Sequence, residues 1–166
     1  MEACETMLGI AGQLTISISL LAAGCGVNEG VALPTPGDLS GIRRPASPNT
    51  CLAGPAKFVP SPDLPTGYYD IAPEQLLAVV QGVIVTQPRT TALALDTDRL
   101  RADYVVRSRV FGFPDIVLTQ VLRAADGQSA LVLYSYSLKG RYDFGVNRSR
   151  VIAVLTALEA ALVRQR

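Results

Sequence analysis

At 166 residues and 49% hydrophobic, the chain can bury one sizeable core but not two independent ones. A net charge of +1 excludes the broad positive field of a nucleic-acid-binding domain. The complete lack of histidine excludes His-based catalytic triads and His-based metal sites, and no cofactor or metal centre is expected.

The first thirty residues set the expected address. Met7 to Gly24 carries no charge and contains the apolar run Leu14 to Ala23. That run is short for a bilayer span and broken by Thr15, Ser17 and Ser19, so a cleaved export signal over residues 1–24 is the better reading than a permanent transmembrane helix. Leu21, Ala22, Ala23 and Gly24 before Cys25 are similar to a bacterial lipobox, which makes Cys25 the expected lipid-attachment site and mature N-terminus. Against this stands the n-region, where Glu2 and Glu5 replace the usual basic residues and no Lys or Arg precedes Arg43. Synthesis from Met7 would remove those acids, and the bland alternative makes the segment a buried apolar element with Cys25 a small core residue. Cys4, Cys25 and Cys51 form no C-x-x-C pair, so the fold must rest on its hydrophobic core.

Residues 25–65 hold most of the chain's 11 prolines and show no periodic pattern, which reads as an extended tether whose later part, 45–65, packs on the domain that follows. Within it, Ser47 to Cys51 is the ordered piece, because Ser47 before Pro48 is extended and Asn49 can close an Asx-turn. Cys51 reads either as a nucleophile or redox sensor, or as a small buried side chain. The lack of any histidine to lower its pKa favours burial.

The domain proper spans 66–166. Pro73 and Glu74 start a helix carrying Leu76, Leu77, Val80, Val83 and Ile84 at helical spacing, to stop before Pro88. Thr91 to Asp96 reads as a strand. From Arg99 to Val110 the alternation places Leu100, Ala102, Tyr104, Val106, Ser108 and Val110 on a core face and Arg99, Arg101, Asp103, Val105, Arg107 and Arg109 on a wet, basic one. Ile116 to Leu122 and Ala130 to Leu138 are two further strands joined by an Asp126-Gly127 hairpin. A helix from about Asn147, with Val151, Leu155, Leu158 and Leu162 as its stripe, closes the chain. The expected inner face of the sheet is Leu100, Tyr104, Val106, Ile116, Leu118, Val132 and Tyr134, packed on that helix. The expectation is therefore an α+β fold, a single domain with a four-stranded antiparallel sheet covered by an N-terminal and a C-terminal helix in the order αββββα.

The segment GRYDFGVNRSR at Gly140 to Arg150, after YSYS and entering the last helix, resembles the signature of the family called domain of unknown function 1499. The SPN-plus-cysteine element at Ser47 to Cys51, the arginines Arg107 and Arg109, and the FPD turn at Phe113 to Asp115 agree with it. Here Thr50 separates Asn49 from Cys51, whereas the family usually places cysteine directly after asparagine. The resemblance implies an exported, lipoprotein or membrane-associated setting and brings no activity, cofactor or catalytic residue.

In the signature, Gly145 provides a sharp turn and Asn147 a cap, while Arg141, Arg148 and Arg150 bring cations to a helix N-terminus, where the dipole disfavours them. Those cations ask for an anion. The candidates are Asp143, with Asp115, as a salt-bridge network, or an external carboxylate, phosphate or lipid headgroup. Cys51, Arg107, Arg109 and Asp115 are the further candidate contributors, and no catalytic residue is assigned. Three functions follow: an envelope lipoprotein that binds a small apolar or anionic ligand or serves structurally; an enzyme acting on an anionic substrate through Asp143, Asp115 or Cys51 with the arginines; and a protein-interaction module using the basic strand face. Binding ranks first, because carboxylates and arginines without an activated nucleophile form salt bridges more often than active sites. The expected location is the bacterial cell envelope by lipid anchor, or the periplasm or medium after signal cleavage. The expected partners are the membrane and that ligand, with no nucleic acid.

Overall fold

The computed structural model describes residues 38–45 and 47–165, so the expected signal segment and Cys25 lie outside the described residues. It is α+β with two helices, but the sheet has six strands and is mixed rather than four-stranded and antiparallel. The strands are β1 (Thr50–Gly54), β2 (Leu64–Pro65), β3 (Thr90–Asp96), β4 (Arg101–Arg107), β5 (Pro114–Arg123) and β6 (Ser129–Ser137). The helices are α1 (Pro73–Val85), after β2, and α2 (Val146–Val163), after β6. The sheet order is β2-β1-β6-β5-β4-β3.

Strands β3 to β6 form the expected antiparallel run, and the hairpin at Asp126-Gly127 turns with both residues at positive φ, 57° and 75°, as a tight turn there requires. The two extra strands come from the proline-rich stretch. β1 runs antiparallel to β6 and parallel to β2, burying Cys51, Leu52 and Ala53. A five-residue strand flanked by Pro48 and Pro55 is too short to display a clear period, so it declares itself only through its partners. β2 is two residues long and ends in proline, which suits it to the sheet edge.

Both helices pack on one face of the sheet. Pro73 opens α1, and Leu76, Leu77, Val80, Val83 and Ile84 are all buried, as their spacing demands. On α2 the buried residues are Asn147, Val151, Val154 and Leu158. The buried stripe is thus rotated from the expected one: Leu155 and Leu162 are only partly buried at the edge of the core, and Ile152 is exposed. Leu158 has no solvent exposure, so Leu158→Ala should cost about 2–5 kcal/mol.

The sheet face toward the helices carries Leu100, Ala102, Tyr104 and Val106 with Val117, Val121, Leu131 and Leu133. Register fixes this parity, since Tyr104 faces Val117 and Val117 faces Ser135. Ile116, Leu118, Val132 and Tyr134, expected on the inner face, point to the other side. Apolar residues occupy both faces of β5 and β6, which removes the alternation that would tell the faces apart.

The second face is not wet. Leu52, Ile116, Leu118, Ala130 and Val132 are buried there. Leu39 packs over it with its N–H donated to Gln120 Oε1 at 2.8 Å, and Val59 approaches Gly54 closely enough that a Cβ at Gly54 would meet it at 3.0 Å. The basic face expected on β4 is thus corrected at its centre. Arg101 Nε donates to Asp103 Oδ1 at 2.9 Å, and both side chains are buried. Only Arg99, Arg107 and Arg109 of that series reach solvent.

Candidate functional site

The signature segment leaves the end of β6, crosses the top of the sheet and enters α2. Gly140 and Gly145 have φ of 84° and 78°, and Phe144 between them has φ of 53°. Gly145 is the N-cap, so it supplies no capping side chain. Asp143 does the capping instead of Asn147: its carboxylate accepts from the backbone N–H of Gly145 at 3.0 Å and of Asn147 at 2.8 Å. A carboxylate on free N–H groups at the positive end of the helix satisfies donors that the helix leaves open.

Asn147 is fully buried in the first turn of the helix and works as a hub. Its Oδ1 accepts from Ser135 Oγ and from Arg150 Nη1, both at 2.6 Å, while its Nδ2 donates to the Asn49 carbonyl at 2.9 Å and to Ser137 Oγ at 3.0 Å. All its hydrogen-bonding capacity is used. Asn49 Nδ2 in turn donates to the Gly140 carbonyl at 2.7 Å, and Ser47 Oγ donates to the Arg141 carbonyl at 3.0 Å. The two ends of the family pattern, SPN and GRYDFGVNRSR, are therefore one hydrogen-bonded unit.

Arg150 completes the unit. Its Nη2 donates to Asp115 Oδ2 at 2.7 Å, and both side chains are largely buried. Of the three signature arginines this one sits deepest, and Asp115 is its compensating anion. Arg148 is exposed, with one long contact to the Asp63 carbonyl at 3.4 Å. Arg141 is also exposed and lies over the Tyr142 ring at 6.0 Å.

Beside this unit opens a cavity of about 670 Å³. Its floor and walls are Ile84 of α1, Val106 of β4, Val117 of β5 and Val154 of α2. Its rim holds Phe111, Phe113, Tyr142 and Phe144 together with Arg89, Arg107, Arg109 and Lys139. Asp115, Asp143 and Arg150 also line it, but each is held by the contacts above. Arg107 Nη1 donates to the Gly112 carbonyl at 3.2 Å, bracing the β4–β5 turn, and Arg89 Nε donates to the Arg107 carbonyl at 3.0 Å. Thr90 Oγ1 lies buried in the wall with no hydrogen-bond partner among the described residues.

Cys51 is elsewhere. It faces Ser135 across β1 and β6, is 1% exposed, and its thiol is pushed up to about 11, first by burial and then by the Asp63 carboxylate. Burial and a tightly held proton suit this thiol to a place in the core and work against thiolate chemistry at neutral pH. Among the described residues no group of three or more Cys, Asp or Glu side chains is placed to hold a metal, and no helix is long and apolar enough to cross a membrane.

The structure thus brings Arg107, Arg109, Asp115, Asp143 and Arg150 to one cavity, while Arg141, Asn147, Arg148 and Cys51 lie off its lining. Arg89, Thr90 and Lys139 carry no sequence signal, because they belong to the ends of elements and the connections between them. The stacked pair Phe111 and Phe113, 5.4 Å between ring centroids, flanks the glycine of a turn, a pattern that is visible in the sequence.

No curated protein matches the chain. Among solved structures, the crystal structure of TTHA0849 from Thermus thermophilus is similar at 12% identity and a TM-score of 0.40, over 70% of this chain and 98% of that one. The family model described as protein of unknown function (DUF1499) matches residues 43–158, a span that runs from before the SPN element to within α2 and takes in the whole cavity. The chain belongs to the DUF1499 family.

Proposed function

We propose that this is a non-enzymatic binding domain of the bacterial cell envelope, anchored by lipid on Cys25, whose cavity at the strand-to-helix corner holds a small amphiphilic anion. The observation that carries the reading is the cavity's composition: an apolar interior closed by a rim of cations. Its volume of about 670 Å³ lies within the range of roughly 300–1,000 Å³ common to small-molecule sites. Arg109 makes no ion pair among the described residues, and Lys139 rests its ammonium over the Phe113 ring at 5.9 Å, so both charges remain for a ligand's head. The Thr90 hydroxyl offers one further polar contact inside. Binding is favoured over catalysis because the acids near the cavity are spent on Arg150 and on the α2 N-terminus, and the buried thiol is held protonated.

The test uses the full chain with 1-anilinonaphthalene-8-sulfonate as a fluorescent anionic probe and dodecyl phosphate as competitor. Enhanced probe emission reversed by dodecyl phosphate is expected, with at least about tenfold weaker binding in Arg109→Ala/Lys139→Ala. Equal binding by parent and variant, or none by either, would overturn the reading. Anchoring is tested separately: Cys25→Ser should move the protein out of the membrane fraction, and unchanged fractionation with Met1 retained would refute it.

A further inference from the structure

The rim of the cavity has a second property, independent of what fills the interior. Two loops, the β4–β5 turn and the signature loop, both carry large apolar side chains that stay mostly exposed. Val110 is 78% exposed, Phe111 74%, Tyr142 65% and Phe144 98%. Single exposed apolar residues are ordinary, but four from two separate loops around one opening form a patch that calls for a partner. Phe144 adds a second observation. A bulky side chain at φ of 53° sits in a conformation that costs energy, and here it gains no packing in return.

The charges around the patch select the partner. Arg109, Lys139 and Arg141 are exposed in the same two loops, and Arg107 is exposed at the end of β4 beside them. The acids of this end, Asp115 and Asp143, are turned inward to Arg150 and to the backbone N–H groups of α2. What faces outward is therefore aromatic at the tips and cationic just behind them. Aromatic rings seat at the headgroup level of a bilayer, and basic side chains beside them meet anionic headgroups. We infer that this rim is a membrane-docking surface, which inserts Phe111 and Phe144 into an anionic lipid leaflet and sets the cavity mouth against it.

The chain contains no tryptophan, so a single introduced one reports only on its own position. Phe144→Trp and Phe111→Trp, each in the full chain, are titrated with vesicles of phosphatidylglycerol or of phosphatidylcholine. On phosphatidylglycerol their emission should shift to the blue and be quenched by lipids brominated along the acyl chain. Both effects should weaken on phosphatidylcholine and at high salt, and be lost when Arg109→Glu/Lys139→Glu is added. Val163→Trp, at the far end of the 18-residue α2, should stay in water. The inference is overturned if neither rim tryptophan is quenched, or if Val163→Trp responds equally. It is also overturned if the rim tryptophans respond to dodecyl phosphate but not to vesicles, a result that would leave the cavity reading standing.

Discussion

The eleven residues Gly140 to Arg150 divide into two regions that share a loop and little else. Asp143, Asn147 and Arg150 point inward and are satisfied by named partners: backbone N–H groups, Ser135, Asn49 and Asp115. Arg141, Tyr142, Phe144 and Arg148 point outward and make almost no contacts that a fold would need. A motif recognised as one string is thus a structural clasp and a display surface interleaved at the spacing of a turn and a first helical turn. Its residues therefore have two roles, not one.

Mutations should separate the two regions. The largest effect is expected at Asp115. Removing a carboxylate from a buried ion pair leaves Arg150 charged and uncompensated, so Asp115→Ala should lose about 3–5 kcal/mol in urea unfolding. Asn147→Ala strips four hydrogen bonds from buried groups, and about 2–4 kcal/mol should go with them. A loss below about 1 kcal/mol at either site would show that the inward region is not the clasp described.

Cys51 sharpens the same contrast through pH. Its folded thiol is raised from an ordinary 9.0 to about 11, so the folded state holds its proton more tightly than the unfolded chain does. The associated stability is fully present below pH 9 and falls as pH rises from 9 through about 11, by up to about 2 kcal/mol. Cys51→Ala should remove that part of the alkaline loss, and Tyr69, raised to about 12 first by burial and then by Glu159, should supply a later one. Below pH 9 a thiol reagent should label the unfolded chain and leave folded Cys51 untouched.

Asp143→Ala removes only a cap and should cost about 1–2 kcal/mol by thermal melting. In the outward region Arg148→Ala and Phe144→Ser should change stability by less than about 0.5 kcal/mol. A larger loss at Phe144 would show that the display surface packs on something and would merge the two regions.

The division explains which parts of the molecule the sequence discloses. Helix α1 is legible residue by residue, because its apolar spacing, Pro73 and Pro88 all agree. The strands β3 to β6 are legible as elements, and the faces of β5 and β6 are not, since apolar residues on both sides erase the period. β1 stays hidden because the prolines that flank it announce a linker, and only pairing with β6, far along the chain, makes it a strand. At the site, the arginine-rich helix start points to a need for an anion. It does not distinguish Arg150, whose partner is supplied by the FPD turn, from Arg141 and Arg148, which remain in solvent. Asn147 stands where a cap is expected, while the left-handed step at Phe144 and Gly145 moves that task to Asp143. Of the aromatic rim only Phe111 and Phe113, either side of Gly112, form a pattern in the sequence, because Tyr142 and Phe144 come from a separate loop and share no spacing with them.

The Asn147 amide reaches the Asn49 carbonyl across 98 residues of chain. That one contact orders events in time. The hairpin of β5 and β6 needs only its own turn to form, whereas β1 has no seat until β6 exists, and the Asn147 hub has no second half until β1 is seated. A chain emerging from its N-terminus therefore carries β1, with only the two-residue β2 beside it, without its long partner β6 through about half of its synthesis, and closure of the domain is among its last steps. Any factor that must thread the chain while it is still open has about half of its length in which to act.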